Sequence, residues 1–276
     1  WARRAGIPLV FRGDSHLLGR PAPGWRRRWP LRLLFRQFAA LTYVGAANRA
    51  YFEAFGVPAA RLFFAPHAVN DALFDPAKAE TRRQAEALRE KLGLAPETRV
   101  VLFAGKFVPE KQPRELLEAF LSLPSRAAAL VFVGDGPERA ALTDLAQAAP
   151  PGRVHFLPFA NQSEMPSRYL LADIFALPSR GLYETWGLAV NEAMHMGVPC
   201  LVSDRVGCQQ DLVTDNETGW VFRIGSPGEL AQRLTAALDA DLAAFRPRVA
   251  ARIAGYTYAR ASRGLLEAVQ AVIPPR

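Results

Sequence analysis

The chain has 276 residues, half of them apolar and 22% charged, with two cysteines and four scattered histidines. This is the composition of a globular protein of one large or two small domains, and it excludes wholesale disorder, a disulfide framework and a structural zinc site. The formal charge of +8 is uneven: residues 1–75 carry eleven Arg against Asp14, Glu53, Asp71 and Asp75, whereas the remainder is almost balanced.

In chain order, 7–11 is short and apolar and reads as a buried strand, stopped by Arg12-Gly13-Asp14. The segment begins at Trp1 without a signal-peptide pattern, so it reads as starting inside a longer sequence. The run Trp25-Arg26-Arg27-Arg28-Trp29 leads into a predicted helix at 31–40. Arginine beside tryptophan suits an anionic membrane surface. Nucleic acid is the competing partner, and a solvated basic loop is the plain alternative. A strand at 41–44, a helix at 46–55 stopped by Gly56 and Pro58, and a strand at 61–65 follow. The polar stretch 70–78 reads as a linker, and 81–92 as a helix ended by Gly93.

From Arg99 the rhythm is regular. Strands at 100–104, 128–133, 154–156, 174–177, 199–203 and 220–222 alternate with helices at 114–123, 138–148, 165–171, 188–196, 209–213 and 227–238. Ser226, Pro227 and Glu229 spell a helix start with a capping box. Helices at 242–253 and 259–272 close the chain, the last with Leu265, Leu266, Val269 and Val272 on an apolar stripe. Continuous apolar strands between helices predict a parallel, doubly wound α/β sheet over 97–255, with its ligand beyond the carboxyl ends of the strands. No apolar run reaches the ~18 residues of a spanning helix.

Three loops at those strand ends bear on chemistry. Gly105-Lys106-Phe107-Val108-Pro109-Glu110-Lys111 brings two ammonium groups to the carboxyl edge, enough to face a pyrophosphate; a basic surface turn is the alternative. It is not a P-loop, because Phe107 stands where a Ser or Thr would hold Mg²⁺. Gly134-Asp135-Gly136 permits either a close ligand approach or a plain turn, and Arg139 in place of a third glycine excludes the dinucleotide fingerprint. After 178–181, the segment Glu184-Thr185-Trp186-Gly187-Leu188-Ala189-Val190-Asn191-Glu192 opens a helix. The free N–H groups of Gly187, Leu188 and Ala189 would cradle a phosphate, and Gly187 has no side chain to obstruct one. Glu184 and Glu192 offer carboxylates for vicinal sugar hydroxyls. Dipole stabilisation by Glu184 and plain solvation of Glu192 form the other reading.

Taken together these pieces resemble the family-4 retaining glycosyltransferases of the GT-B fold (glycosyl transferases group 1). The matching segments occur in the family's order: Gly105-Lys106 with Glu110-Lys111; Gly134-Asp135-Gly136-Pro137; Ala172-Asp173 and Leu177-Pro178-Ser179; Glu184 and Glu192 as the Glu-x7-Glu motif; Glu192-Ala193-Met194 followed by Gly197-Val198-Pro199; and Thr218-Gly219-Trp220. They cover about 105–222.

The resemblance implies two Rossmann-like domains facing a cleft: a partial N-terminal, acceptor-side domain at 1–72, a linker and helix at 73–96, a nucleotide-sugar-binding domain at 97–255, and a C-terminal helix at 256–276 crossing back to the N-terminal domain. By position, Lys106 and Lys111 would hold the donor pyrophosphate with Gly105 and the 187–189 backbone. Glu184 would orient the transferred sugar, Glu192 would bind the ribose, and backbone around 157–160 would meet the base. Asp14 and His16, after the strand at 7–11, would face sugar or acceptor; a surface turn is the other reading of His16. The donor would be a UDP- or GDP-linked hexose and the acceptor a glycan or lipid-linked molecule of bacterial cell-surface polysaccharide or lipopolysaccharide synthesis. No metal or cofactor is expected, and no nucleic acid. The setting would be cytoplasmic, with a peripheral position at the inner membrane face. Asp239-Ala240-Asp241 lies at a helix end and is discounted as a metal site.

The chain departs from the family pattern in places. The glycine-rich loop and the early strands of the N-terminal domain are absent, Pro66-His67-Ala68-Val69-Asn70 stands where Pro-Asn-Gly-Val-Asp is usual, and Cys208-Gln209-Gln210-Asp211 replaces a glycine-containing turn. A nucleotide-sugar epimerase shares the fold but wants an acid/base pair that the sequence does not spell out. A non-catalytic basic module, binding membrane or nucleic acid, is the remaining alternative.

Overall fold

The computed structural model describes residues 1–2, 4–20, 24–124, 127–180 and 184–273. It comprises two units, Trp1–Val69 with Gly255–Arg276, and Asn70–Ala254.

In the first unit, β1 (Val10–Arg12), α1 (Trp25–Phe35), β2 (Ala40–Tyr43), α2 (Ala46–Ala54) and β3 (Leu62–Phe64) follow one another. The strands pair in parallel in the order β1-β2-β3. The first strand lies further along the chain than predicted, with Val10 opposite Ala40. The helix predicted at 31–40 is also displaced: it starts at Trp25 and ends at Phe35, so the basic run is helical and not a loop. Pro30, just before the predicted start, sits inside α1, where it forfeits one backbone bond. At the other end the Ala39 N–H donates to the Leu9 carbonyl (2.8 Å), and Ala40 opens β2, so sheet pairing stops the helix. Phe35, Leu41, Tyr51, Phe52 and Phe55 form the core of this unit.

The second unit begins with a turn in which Phe74 is buried against Tyr169, ring centroids 6.1 Å apart. Then come α3 (Ala79–Lys91), β4 (Arg99–Ala104), α4 (Pro113–Leu121), β5 (Ala128–Val133), α5 (Arg139–Ala146), β6 (Val154–Leu157), α6 (Met165–Leu171), β7 (Ile174–Leu177), α7 (Leu188–His195), β8 (Cys200–Ser203), α8 (Gln209–Leu212), β9 (Gly219–Phe222), α9 (Pro227–Asp239) and α10 (Leu242–Ile253). Within the segment read as linker and helix, α3 packs on α6. All six strands are parallel, in the order β6-β5-β4-β7-β8-β9. β5, β7 and β8 are buried along their whole length, which is why they read as unbroken apolar runs. The order reverses between β4 and β7, and a doubly wound sheet opens its crevice at such a point.

The capping box does not form at α9. Ser226 makes no side-chain cap bond, and the Glu229 carboxylate instead accepts from the Arg223 guanidinium at 2.9 Å. At α10 the N-cap is Asp241, whose carboxylate accepts from the Ala243 N–H at 3.1 Å; this is the use the chain makes of its Asp-x-Asp. The last helix, α11 (Tyr258–Gln270), returns to the first unit and lies on β2 and β3. No helix among the described residues is long and apolar enough to cross a membrane.

Candidate active site

Two strand-end turns are locked together at the carboxyl edge of the second unit. The chain leaves β4 through Gly105 and Lys106, then turns Phe107 fully into the core beside Phe103, Phe132 and Phe156. The Phe107 N–H donates to the Asp135 carbonyl (2.8 Å), and the Glu138 N–H donates to the Phe107 carbonyl (3.1 Å). Gly134 has φ +138°, and a Cβ there would strike the Gly105 carbonyl oxygen. The glycine thus serves more than a plain turn: it lets the second loop lie against the first. Arg139, the residue that excluded a dinucleotide fingerprint, fixes this arrangement. Its guanidinium lies over the Phe107 and Phe156 rings (5.8 and 5.6 Å) and donates to the Gly134 carbonyl (3.1 Å).

The two lysines part company. Lys106 lines a cavity of about 610 Å³ at the carboxyl ends of β4 and β5. Lys111 instead pairs with the Glu184 carboxylate. That carboxylate also accepts from the Ser179 hydroxyl at 2.8 Å. Ser179 is itself buried, and its carbonyl accepts from Ser203 Oγ at 2.6 Å. Glu184 is therefore held from two sides, with its side chain only 11% exposed. Gly181 lies outside the described residues.

The start of α7 is fixed from within. Gly187 has φ +101°, and a Cβ there would meet Val206 Cγ1 at 2.9 Å and Leu177 Cδ2 at 3.2 Å. Its bareness serves the packing behind the turn. Trp186 is buried and donates its indole N–H to Asn191 Oδ1 (2.8 Å), and the Trp186 carbonyl accepts from the Cys208 N–H (2.8 Å). Leu188 is half exposed, whereas Ala189 and Glu192 face the same cavity as Lys106. Burial pushes the Glu192 carboxyl up, and a hydrogen bond from the Tyr169 hydroxyl (2.7 Å) draws it partly back. Tyr169 did not emerge from the sequence, because nothing local links it to a carboxylate 23 residues ahead. Phe159, 76% exposed at the cavity rim and next to Ala160, falls inside the 157–160 stretch expected to meet the base.

Asp14 and His16 belong to the first unit. His16 is buried, not a surface turn residue, and its Nδ1 accepts from the Leu18 N–H at 3.1 Å. Asp14 lies 3.5 Å from His67 Nε2. Burial and the neighbouring Arg12 guanidinium push the His67 pKa down, so the ring is neutral at neutral pH. Arg12 in turn donates to the Ala65 and Pro66 carbonyls at 2.9 and 3.4 Å. Among the described residues no group of three or more His, Cys, Asp or Glu is placed to hold a metal ion.

A parallel sheet with its cavity at the switch point, a lysine and a half-buried carboxylate on the cavity wall and a second carboxylate in the adjoining loop define a Rossmann-like α/β protein with a ligand site at its carboxyl edge. Residues 84–254 match the family model for glycosyl transferases group 1, and the chain belongs to that family. It is 36% identical over 200 residues to a D-inositol 3-phosphate glycosyltransferase of Nocardia farcinica, covering 68% of this chain and 44% of that protein. It is 35% identical over 193 residues to a GDP-mannose-dependent alpha-(1-6)-phosphatidylinositol monomannoside mannosyltransferase of Mycobacterium tuberculosis, covering 66% and 48%. The chain thus spans less than half the length of these relatives. In fold it matches the crystal structure of Anabaena Alr3699/HepE in complex with UDP, with a TM-score of 0.78 and 21% identity over 98% of this chain and 74% of that one.

Proposed function

We propose that this chain carries the donor site of a retaining glycosyltransferase that moves a hexose from a UDP- or GDP-linked donor to a glycan or lipid-linked acceptor. The observation that carries the reading is the cavity shared by Lys106, Ala189 and Glu192 at the carboxyl edge, beside the loop that holds Glu184. The donor's diphosphate would lie against Lys106 and the start of α7, its ribose against Glu192, and its hexose toward Glu184. In the transfer the bond from C1 to the diphosphate oxygen breaks. The acceptor oxygen bonds to C1 from the same face, and its proton passes to the departing phosphate. No protein nucleophile takes part, so stabilising the leaving diphosphate is the protein's main contribution. Lys106 and the helix start would do this without a metal ion. The names of the relatives support an acceptor of the inositol-phosphate or inositol-lipid kind.

Calorimetry with UDP, GDP and ADP tests this reading. One nucleotide should bind selectively, and Lys106→Ala should weaken it by about tenfold or more, as loss of a charge-assisted bond does. A folded chain that binds none of them would refute the donor site.

A cytoplasmic position against the inner membrane face rests on α1. Trp25 and Trp29 are 75% and 65% exposed, Arg26, Arg27 and Arg28 lie between them, and the first turn has no acidic residue. Arg28 donates to the Ala54 carbonyl, so neutralising Arg26 and Arg27 alone leaves that tie intact. Sedimentation with anionic vesicles should fall by about fivefold per charge removed. Unchanged sedimentation would remove the membrane from the reading. Loss of nucleic-acid binding in its place would favour the basic module.

A further inference from the structure

Glu192 does not stand alone on the cavity wall. Tyr169 reaches it from α6 and donates its hydroxyl proton to Glu192 Oε2 at 2.7 Å. The tyrosine is 1% exposed. Its ring stands edge-on to Phe175 of β7 (5.5 Å, 75°) and to Phe74 (6.1 Å, 61°), so its position is set by aromatic packing on two sides. Both Tyr169 and Glu192 border the cavity. A phenol has one proton to donate, and here it is committed to one carboxylate oxygen.

We propose that Tyr169 is a positioning residue for the donor: by engaging Oε2 it fixes the rotation of the Glu192 carboxylate, so that the remaining lone pairs present to a vicinal diol, the ribose 2′- and 3′-hydroxyls of a nucleoside diphosphate. The proposal rests on the donor-site reading and deepens it. A carboxylate on a freely rotating stem loses rotamer entropy when it binds a diol; one already clamped does not.

The charge state follows from the same geometry. Burial holds the tyrosine hydroxyl protonated far above its ordinary range, so it remains a donor at every relevant pH. Burial raises the Glu192 carboxyl, and the Tyr169 bond opposes that rise. Among the described residues, the other titratable groups lining the cavity are Lys106 and Asp135, from the loops after β4 and β5, and the Cys200 thiol of β8, which also acts on Tyr169, is kept neutral by burial. The ionised carboxylate is the form that accepts from the diol. Nucleotide affinity is therefore present above the Glu192 pKa and lost as the pH falls through it. Without the Tyr169 hydroxyl that pKa rises further, and the acid limb moves to higher pH.

The test compares the chain with Tyr169→Phe, which keeps the ring between Phe74 and Phe175. Calorimetry is run with the favoured ribonucleoside diphosphate and its 2′,3′-dideoxy counterpart across the acid range. At pH 8 the variant should bind the ribonucleotide about tenfold more weakly and the dideoxy nucleotide with unchanged affinity. Its acid limb should lie at higher pH than that of the parent chain. Glu192→Gln should abolish the limb, and adding Tyr169→Phe to it should cost nothing further. Equal loss for both nucleotides, an unmoved limb, or full additivity of the two substitutions would overturn the positioning role. A parent chain that binds neither nucleotide would instead remove the donor site itself, and Tyr169's role with it.

Discussion

Glu184→Gln is expected to lower glycosyl transfer by about 10²-fold or more at saturating donor, a loss of about 2.7 kcal/mol of transition-state stabilisation. The substitution keeps the shape of the side chain and removes its charge. In the folded chain Lys111 and the Ser179 hydroxyl both engage that charge and hold the carboxylate in place. Glutamine retains an oxygen for Ser179 but leaves the half-buried Lys111 ammonium without its counter-ion. In the proposed transfer, positive charge develops on the sugar as the bond to the diphosphate lengthens, and a carboxylate fixed on the hexose hydroxyls would be worth most at that moment. Nucleotide binding should change little, because Lys106 and Glu192 lie on the cavity wall while Glu184 pairs outside it. The measurement is initial rate against donor concentration: a fall in kcat with donor affinity nearly constant is the expected result. Rates equal to those of the parent would remove Glu184 from the reaction.

The division between what the sequence made legible and what it hid follows the range of the interactions. The central strands of the second unit read directly, because burial on both faces leaves runs such as Ala128–Val133 with no polar residue to confuse them. What stayed hidden are pairings between distant positions: Lys111 with Glu184, Tyr169 with Glu192, Asp14 with His67. The side-chain types announced a carboxylate and a cation at the sheet edge but not which would meet. The resemblance places Lys111 on the donor pyrophosphate, and the fold pairs it with the Glu184 carboxylate. Local signals failed where a neighbour outbid them: Arg223 takes the Glu229 carboxylate that a capping box would have used, and the demands of β2 end α1 at Phe35.

Gly134→Val should damage the second unit severely. The backbone there has φ +138°, a region that β-branched residues avoid at a cost of about 1–3 kcal/mol. A Cβ in that position also runs into the carbonyl oxygen of Gly105, which is main chain and cannot rotate away. The turn after β5 would have to withdraw from the turn after β4. That movement breaks the Phe107 N–H bond to Asp135 and pulls Arg139 from its seat over Phe107 and Phe156. With strain and lost bonds together at about 3–5 kcal/mol, the thermal midpoint should fall by about 10 °C. Nucleotide affinity should fall further than stability does, because Lys106 and Asp135 stand on the two turns that separate. Differential scanning calorimetry with and without nucleotide reads both effects at once. A midpoint within a degree of the parent, with affinity intact, would show that the two turns do not depend on this contact, and the locked edge would then be a consequence of the strands beneath it.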